Sequence, residues 1–275
     1  MQKKFIEVRG DFGRVVIVEM SHDLVTHAHE EMQIKYWLSG GVARCRVGKA
    51  DVTLNESTIV ACNSYQSHDI VLVNPSEPVM AMLLYIDVGW LDAKGQEEGK
   101  PVLFPASQLT TTPEIREFTA TLMHKLMSSS DDVNLCVEDV VLKLIRLTIE
   151  RTNFMPNNMV YLVRRRMPDY RLRLALAYMK ENITNLALMN HVAGVVGVSR
   201  SRLYELFLDE LQSSPKIIWN SMRLDEAMNR IALTDKSMAS VAADLGFSSP
   251  GNFSRFFKAN TGISPFVYRK YSNLK

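Results

Sequence analysis

Several features are scarce in this sequence, and each scarcity excludes a class of protein. The chain has 3 cysteines in 275 residues. Cys45, Cys62 and Cys136 are widely spaced and form no CxxC pair, which predicts reduced thiols in a cytosolic protein rather than a disulfide framework or a zinc site. No apolar run reaches the roughly 18–20 residues that cross a bilayer, and the first residues mix charged with apolar types, unlike a signal peptide. We therefore expect a cytoplasmic protein with no membrane partner.

The chain as a whole has no large excess of charge of one sign, but each of its halves does. The total is 32 basic and 30 acidic residues, a net charge of +2. Residues 160–275 carry 17 basic and 9 acidic residues, a net of +8, whereas residues 1–159 carry a net of −6. This asymmetry predicts that only the C-terminal half contacts a polyanion, since Lys and Arg side chains supply most non-specific affinity for DNA.

Two stretches near the C-terminus repeat one pattern about fifty residues apart. The first runs from Val192 to Phe207 and closes at Ser214-Pro215, and the second runs from Val241 to Phe257 and closes at Ser264-Pro265. Each stretch has a short apolar segment, a Gly, a Ser and a second apolar segment with helical spacing. The pattern is typical of a helix-turn-helix, whose second helix enters the DNA major groove.

The turn residues of both copies support this interpretation. Gly197 and Gly246 follow the first segments, where a positive φ favours glycine. Ser199 and Ser249 are placed to cap the second helices, and Pro250 occupies a first helical position, where its missing N–H costs nothing. Between the copies, Pro215 begins a helix of roughly 18 residues, about 27 Å long at 1.5 Å per residue. Such a helix would hold the two recognition helices about one DNA turn apart.

The remaining side chains of the second helices face outward and are candidates for DNA contact. In the first copy they are Arg200, Ser201, Arg202, Tyr204 and Glu205; in the second they are Pro250, Gly251, Asn252, Ser254, Arg255 and Lys258. Arg and Asn are residue types that read base edges through paired hydrogen bonds.

The first 105 residues predict a β-domain. Short β-branched, aromatic or otherwise apolar runs are separated by Gly, Asn and Pro residues, as in a sandwich or barrel. The predicted strands are 15–18, 34–38, 43–47, 58–62, 70–73 and 79–86. Two helices follow, one from Pro113 and one over 134–151, with Ser128 to Asp132 interrupting the pattern. We expect an α+β chain with a domain at 1–153, a linker at 154–168 and an all-α domain at 169–275.

The C-terminal region resembles the DNA-binding domain of the AraC/XylS family of bacterial transcription regulators. The resemblance is carried by Ala193, Gly197, Ser199, Leu203 and Phe207, by the stretch Val241 to Ser248, and by Phe253 to Lys258, Thr261 to Pro265 and Tyr268-Arg269. It implies seven helices, with a long helix joining two helix-turn-helix motifs. It also implies base-facing roles for Ser201, Arg202, Tyr204 and Glu205, and for Pro250, Gly251, Asn252 and Arg255. Since Pro250 and Gly251 offer no side-chain hydrogen bonds, readout by the second motif should depend on Asn252 and Arg255.

The N-terminal half is similar to the cupin-like sensing domain of that family, a β-barrel followed by two helices. His27-Ala-His29, Gly40-Gly41 and His68 follow the cupin outline. Gln33 stands where metal-binding cupins have a carboxylate, so we predict no metal and no cofactor. The three histidines would then lie exposed at a barrel mouth or contact a small organic ligand, with a bound metal as a third possibility. The candidate ligand-binding residues are Arg14, His27, His29, Gln33, Tyr36, Trp37, Arg46 and His68.

The combined prediction is a ligand-responsive transcription regulator, more an activator than a repressor, and not an enzyme. Its expected partners are double-stranded promoter DNA, a small-molecule effector and RNA polymerase. The helix at 134–151 either covers the barrel or joins two copies in a homodimer, and we favour the dimer. Two alternatives stay open: a cupin metalloenzyme with a helical appendage, and a DNA-binding regulator whose N-terminal half serves only dimerisation or protein binding.

Overall fold

A computed structural model describes residues 3–94, 104, 106–127, 133–152, 169–184 and 188–272. Ten strands and three helices precede residue 153, and seven helices follow residue 168. The predicted linker at 154–168 lies outside the described residues. In the described part of the chain, no helix combines the length and apolar character that a membrane crossing requires.

The N-terminal half folds into two antiparallel sheets that face each other. The strands are β1 (Lys3–Gly10), β2 (Gly13–Met20), β3 (Leu24–His27), β4 (Met32–Gly40), β5 (Ala43–Val47), β6 (Ala50–Leu54), β7 (Thr58–Cys62), β8 (His68–Leu72), β9 (Val79–Ile86) and β10 (Gln108–Thr110). One sheet has the order β1-β2-β9-β4-β7-β10, and the other β3-β8-β5-β6. All six predicted strands are present, and the cupin-like fold class is confirmed.

Alternation along the strands builds the core between the sheets. In β5, Ala43, Cys45 and Val47 are buried while Arg44 and Arg46 are exposed. The inward residues join Val16 and Val18 of β2 and Leu72 of β8 in one apolar cluster. Burial of such surface contributes roughly 25 cal/mol per Å² and is the main stabilisation of this domain.

Three helices, one before β10 and two after it, cover the outer face of the larger sheet. They are α1 (Val88–Lys94), α2 (Pro113–Met127) and α3 (Val133–Thr152). Val137, Val141, Leu144 and Ile145 of α3 are fully buried in a cluster with strands of that sheet. Tyr36 of β4 points into this layer, where its hydroxyl lies 2.8 Å from Oγ1 of Thr148. The apolar side of α3 is therefore used within the chain to cover the β-domain.

The C-terminal half is all α. Its helices are α4 (Tyr170–Glu181), α5 (Leu188–Val195), α6 (Arg200–Leu211), α7 (Pro215–Leu233), α8 (Met238–Asp244), α9 (Pro250–Thr261) and α10 (Pro265–Ser272). The pairs α5–α6 and α8–α9 form the two predicted helix-turn-helix motifs. The joining helix α7 has 19 residues, which gives it a length of about 28 Å.

Local chemistry fixes both turns as the sequence predicted. Gly197 and Gly246 have φ values of 69° and 70°. At Gly246 a Cβ would also meet the carbonyl oxygen of Thr184 at 2.6 Å, so this glycine lets the α4–α5 connection pack against the second motif. The hydroxyls of Ser199 and Ser249 each accept a hydrogen bond from the backbone N–H three residues ahead, both at 3.1 Å. These caps satisfy donors that a helix start would otherwise leave unpaired.

The two halves contact each other through specific polar groups. The backbone N–H of Ala28 donates to Oγ of Ser221 in α7 at 3.1 Å, and Lys180 pairs with Glu30 at 3.0 Å. Gln212, which ends α6 with a φ of 51°, accepts a hydrogen bond from the hydroxyl of Ser67. Gly48 makes this approach possible, because a Cβ there would overlap the Gln212 amide oxygen.

Candidate functional site

The outer face of α6 is open to solvent at its first two turns. Arg200, Ser201, Arg202 and Glu205 are exposed and Tyr204 is half-buried, whereas Leu203, Leu206 and Phe207 are buried beneath them. The Arg202 guanidinium donates to the Glu205 carboxylate at 3.0 Å. The helix therefore presents two guanidinium groups, one of which is held by an acidic neighbour.

The outer face of α9 is also open, and its polar side chains form one connected set. Pro250, Gly251, Asn252, Arg255 and Lys258 are exposed, and Ser254 is half-buried. The Asn252 amide donates to Oγ of Ser248 at 2.7 Å, and its oxygen accepts a hydrogen bond from Arg255. The structure thus brings together the two residues on which readout by the second motif was predicted to depend. An ordered Asn–Arg pair on a helix face presents both donors and an acceptor to a base edge.

The β-domain contacts α9 near the C-terminal end of the helix. Strand β3 contacts α9, and Asn260 and Thr261, at the end of the helix, line a cavity with Leu24 and His27. The first two turns of α9 keep their exposed residues. Pro250, Gly251, Asn252 and Arg255 therefore remain open to solvent beside the β-domain.

A buried arginine that the sequence analysis missed holds the second motif to α7. Arg223 is 5% exposed, and its Nε and Nη2 atoms donate to the carbonyl oxygen of Leu245 at 3.2 and 2.7 Å. Its guanidinium lies 3.9 Å from the centre of the Phe247 ring. Because Leu245 ends α8, Arg223 satisfies a helix-end carbonyl and fixes the start of the turn that precedes α9.

Two cavities lie between the β-domain and α7. The more apolar has a volume of about 140 Å³, and its walls include Val16, Leu83, Tyr85, His27, His29 and Arg14 on one side and Leu224, Met228, Ile263 and Tyr268 on the other. The more polar has a volume of about 290 Å³ and is lined by Arg9, Arg14, Glu30, Glu31, Asp87, Val88, Gly89, Asp225, Met228 and Asn229. Arg14, Asp225 and Met228 border both.

Arg14 and Asp225 set the electrostatics at this boundary. Arg14 donates from Nη2 to Glu31 at 3.1 Å and lies 3.9 Å from the centre of the Tyr85 ring. Its Nε is buried without a hydrogen-bond partner among the described residues. Burial, and then the charge of Glu31, raise the pKa of Asp225 to about 7. The boundary therefore offers an unused cationic donor and a carboxyl group that titrates near neutral pH.

The structure brings some of the predicted ligand-binding residues together and separates others. Arg14, His27 and His29 line the apolar cavity, and the ring of His68 lies 4.3 Å from that of His27 between centroids. Gln33 is buried and accepts a hydrogen bond from Lys35, while Trp37 donates to the carbonyl oxygen of Gly41.

Tyr36 and Arg46 do not reach the cavity. Tyr36 faces α3, as described above, because alternation along β4 turns it away from Gln33 and Lys35. Arg46 points out from β5 and pairs with Asp51 at 3.2 Å. Sequence reasoning missed Lys35, which shares the inward face of β4 with Gln33 and could have been found from that alternation. It also missed Tyr85 and Asp225, for which no local signal exists.

Comparisons with known proteins identify the kind of domain that carries the two motifs. A family model described as a helix-turn-helix domain matches residues 192–271, which span both motifs. The raffinose operon regulatory protein RafR of Pediococcus pentosaceus is 33% identical over 97 residues, 35% of this chain and 35% of that protein. The match thus spans about a third of the length of this relative.

Other relatives match over more of the chain at lower identity. The regulatory protein PocR of Salmonella typhimurium is 24% identical, covering 84% of this chain and 72% of PocR. The melibiose operon regulatory protein of Escherichia coli is 22% identical, covering 90% and 84%.

Solved structures share the two-domain fold. The apo form of a ToxT point variant from Vibrio cholerae has a TM-score of 0.63 at 14% identity, covering 96% of this chain and 98% of ToxT. ToxT bound to an unsaturated fatty acid has a TM-score of 0.59 at 16% identity, covering 93% and 94%.

The fold and the matched domain define a two-domain protein whose C-terminal half is a double helix-turn-helix domain. The matched domain and the regulatory relatives agree with the resemblance to AraC/XylS regulators that the motif residues carry.

Proposed function

We propose that this protein is a ligand-responsive transcription regulator that binds promoter DNA through α6 and α9. The observation that carries this proposal is the pair of capped, outward-facing helices attached to the two ends of α7. A single chain would then contact two successive major-groove segments, which lie about 34 Å apart along B-form DNA. The basic C-terminal half would supply the phosphate contacts.

We assign sequence readout mainly to Arg202 in α6 and to Asn252 and Arg255 in α9. Arg200, Ser201, Tyr204 and Glu205 complete the first surface, and Pro250, Gly251, Ser254 and Lys258 complete the second. A bidentate contact from Arg to guanine or from Asn to adenine is worth about 1–3 kcal/mol of discrimination.

Substitution of the two arginines tests this assignment. Sites bound by the full chain would first be mapped across the genome of the source organism. Arg202→Ala and Arg255→Ala should each weaken binding to a mapped site by about 1–3 kcal/mol while changing binding to random DNA far less. Arg44→Ala, an exposed arginine on β5, is the matched control and should leave both affinities unchanged. If the substitutions weakened binding to mapped and random DNA equally, both arginines would contact phosphates rather than base edges.

We propose that the effector binds between the two domains, at Arg14. The unpartnered Nε–H and the mixed apolar and polar walls fit a small organic molecule with an anionic oxygen. The fatty-acid complex of ToxT supports this assignment, since a regulator of the same fold takes an organic acid. Because the apolar cavity holds only about 140 Å³, a larger ligand would have to separate α7 from the β-domain. Its different affinity for the closed and open arrangements would shift their populations.

Promoter affinity measured with a series of monocarboxylic acids of increasing chain length tests the effector site. An effector should change the affinity of the wild type for a mapped site, and Arg14→Met should abolish the change while leaving binding without the acid intact. Arg44→Met controls for the loss of one positive charge. An equal response in Arg14→Met would refute the assignment of the ligand to Arg14.

The same experiments discriminate the alternatives stated from the sequence. A regulator whose N-terminal half serves only dimerisation or protein binding would bind mapped sites but respond to no small molecule. A cupin metalloenzyme would need a reaction of the isolated N-terminal half and no mapped sites. The relatives are regulators, which supports a protein without enzymatic activity.

The further partners predicted from the sequence are RNA polymerase and a second copy of the chain. The predicted cytoplasmic location is consistent with the proposed binding to DNA. A homodimer through the helix at 134–151 would have to use the exposed strip of Asp139, Lys143 and Arg146, because the apolar side of α3 is buried within the chain. Sedimentation at micromolar concentration, with Lys143→Glu as the variant, tests this interface.

A further inference from the structure

Three of the six histidines of the chain meet at one point of the β-domain. His27 of β3 pairs directly across the sheet with His68 of β8, and His29 follows two residues later. The centroid of the His29 ring lies 4.9 Å from that of His68. The fold therefore collects these side chains from two strands and a connecting segment.

Each imidazole has its Nδ1 atom committed to a backbone carbonyl. His27 Nδ1 lies 2.8 Å from the Val25 oxygen, His29 Nδ1 lies 2.7 Å from the Glu31 oxygen, and His68 Nδ1 lies 3.0 Å from the Gln66 oxygen. A carbonyl oxygen only accepts hydrogen bonds, so Nδ1 must carry the proton in each ring. The neutral imidazole then has a lone pair on Nε2.

Two of the three Nε2 atoms have no partner among the described residues that would use their lone pairs. In His29 and His68, Nε2 is buried and makes no hydrogen bond with the described residues. A buried polar atom without a partner is costly in a folded protein and calls for a ligand. The same arrangement, with the outer nitrogen donating to a carbonyl, orients histidines that bind metal ions.

We propose that His27, His29 and His68 bind one divalent transition-metal ion of the zinc class through their Nε2 atoms. Three neutral imidazoles suit Zn²⁺, Co²⁺ and Ni²⁺, and a set of three histidine ligands leaves a coordination position for water or an exogenous ligand. His27 and His29 also line the apolar cavity, together with Leu224 of α7. The expectation of no metal rested on Gln33, but a three-histidine site does not use that position.

The geometry requires a small closure on binding. One nitrogen from each ring lies within 4.8 Å of those of the other two. Metal–nitrogen bonds of about 2.1 Å in tetrahedral geometry need separations of about 3.4 Å. His27 is the side chain that can move, because it is only half-buried and ends a short edge strand with an irregular register.

Nearby cations affect the affinity. Lys35 lies close enough to the three imidazoles for its charge to act on each of them. The charge of Lys35 also opposes a divalent ion. Lys35→Met should therefore increase metal affinity, an effect that a merely structural histidine cluster would not produce.

Titration of the chelator-treated full chain with Co²⁺ tests the proposal. The wild type should bind one ion per chain, with the visible absorption of a nitrogen-ligated, four-coordinate Co²⁺, and Zn²⁺ should displace it. His27→Ala should weaken binding by more than the roughly 10–100-fold that loss of an outer hydrogen-bond partner costs. His124→Ala, an exposed histidine of α2, is the matched control and should bind as the wild type does.

Folding of the variants is checked independently of metal and DNA binding. Because His27 is the least buried of the three residues, its variant should unfold at the same urea concentration as the metal-free wild type. Binding of less than one Co²⁺ per chain by the wild type, or equal Co²⁺ affinity of His27→Ala and His124→Ala, would overturn the proposal. DNA binding by the metal-free chain is measured separately, so failure of the metal site leaves the proposed regulator intact.

Discussion

The backbone N–H of Ala28 donates a hydrogen bond to the hydroxyl of Ser221, 3.1 Å away, across the boundary between the two domains. Ala28 is 2% exposed and packs in the core cluster of the first helix-turn-helix motif. Ser221 lies near the middle of α7, the helix that joins both motifs. The β-domain therefore contacts the element that sets the separation of the recognition helices.

Ser221→Ala should destabilise the chain. The substitution leaves the buried Ala28 N–H without an acceptor, and such an unsatisfied donor costs about 1–3 kcal/mol. Urea unfolding of the full chain measures the loss. Ser240→Ala in α8 is the control and should stay within about 0.5 kcal/mol of the wild type. Equal stability of the two variants would show that the Ala28–Ser221 contact does not hold the domains together.

The contribution of Asp225 to the stability of the chain should fall as the pH rises towards neutrality. The pKa of Asp225 is raised to about 7 in the folded chain, whereas an unfolded Asp titrates near 3.9. Between about pH 4 and pH 7 the folded state therefore holds more of the Asp225 proton than the unfolded state does, so the contribution of this carboxyl to the free energy of unfolding decreases with increasing pH over this window. Deprotonation places a charge beside Glu31 and Glu30, with Arg14 and Lys180 compensating in part.

Asp225→Asn tests this pH dependence. The free energy of unfolding of the variant, measured with urea and compared with that of the wild type, should increase between pH 5 and pH 8. Asp235→Asn, in the exposed segment before α8, provides the control because it removes one carboxyl group elsewhere. The same slope in all three proteins would exclude Asp225 as the titrating group.

Arg223→Ala should unfold the second motif more easily and weaken DNA binding. The substitution removes two hydrogen bonds to the Leu245 oxygen and the stacking on Phe247, together worth roughly 2 kcal/mol or more. Arg230→Ala, also in α7, removes only partly exposed ion pairs with Glu226 and Asp244 and should cost less than about 1 kcal/mol. Thermal unfolding ranks the two variants. A larger loss in Arg230→Ala would contradict the role given to Arg223.

Glu205→Gln should strengthen DNA binding. The Glu205 carboxylate holds Arg202 and faces the side from which phosphates approach, so its removal frees one guanidinium and removes one repulsive charge. An exposed charge worth about 0.5–1 kcal/mol corresponds to a roughly twofold to fivefold gain in affinity. Mobility-shift titration at low salt would detect it. An equal gain in Asp235→Asn would show that only net charge matters.

Local chemistry explains why the C-terminal domain could be predicted. The turns at Gly197 and Gly246 and the caps at Ser199 and Ser249 depend on residues within a few positions, and each signal occurs twice. Strands β1, β3, β6 and β10 were not predicted, although in β6 the apolar residues Ala50, Val52 and Leu54 alternate with Asp51 and Thr53. Contacts such as Ser67 with Gln212 join residues far apart in the chain, and no local pattern records them.

The candidate site residues also divide into those that local sequence predicts and those that depend on contacts between distant parts of the chain. The outward residues of α6 and α9 could be assigned from helical spacing around the buried Leu203 and Phe253. Ligand contacts needed the direction of each strand face, which placed Lys35 rather than Tyr36 inward. The common tautomer of the three histidines could not be foreseen, since it depends on backbone carbonyls that only the folded segments bring near.

Hydroxyl-radical footprinting of the full chain on a mapped site tests whether α6 and α9 bind two successive major-groove segments. We expect two protected segments whose centres lie about 10–10.5 base pairs apart, with Arg202→Ala weakening protection of one and Arg255→Ala weakening protection of the other. A single protected segment, or two segments that both respond only to one of these substitutions, would contradict binding by two helices held on α7.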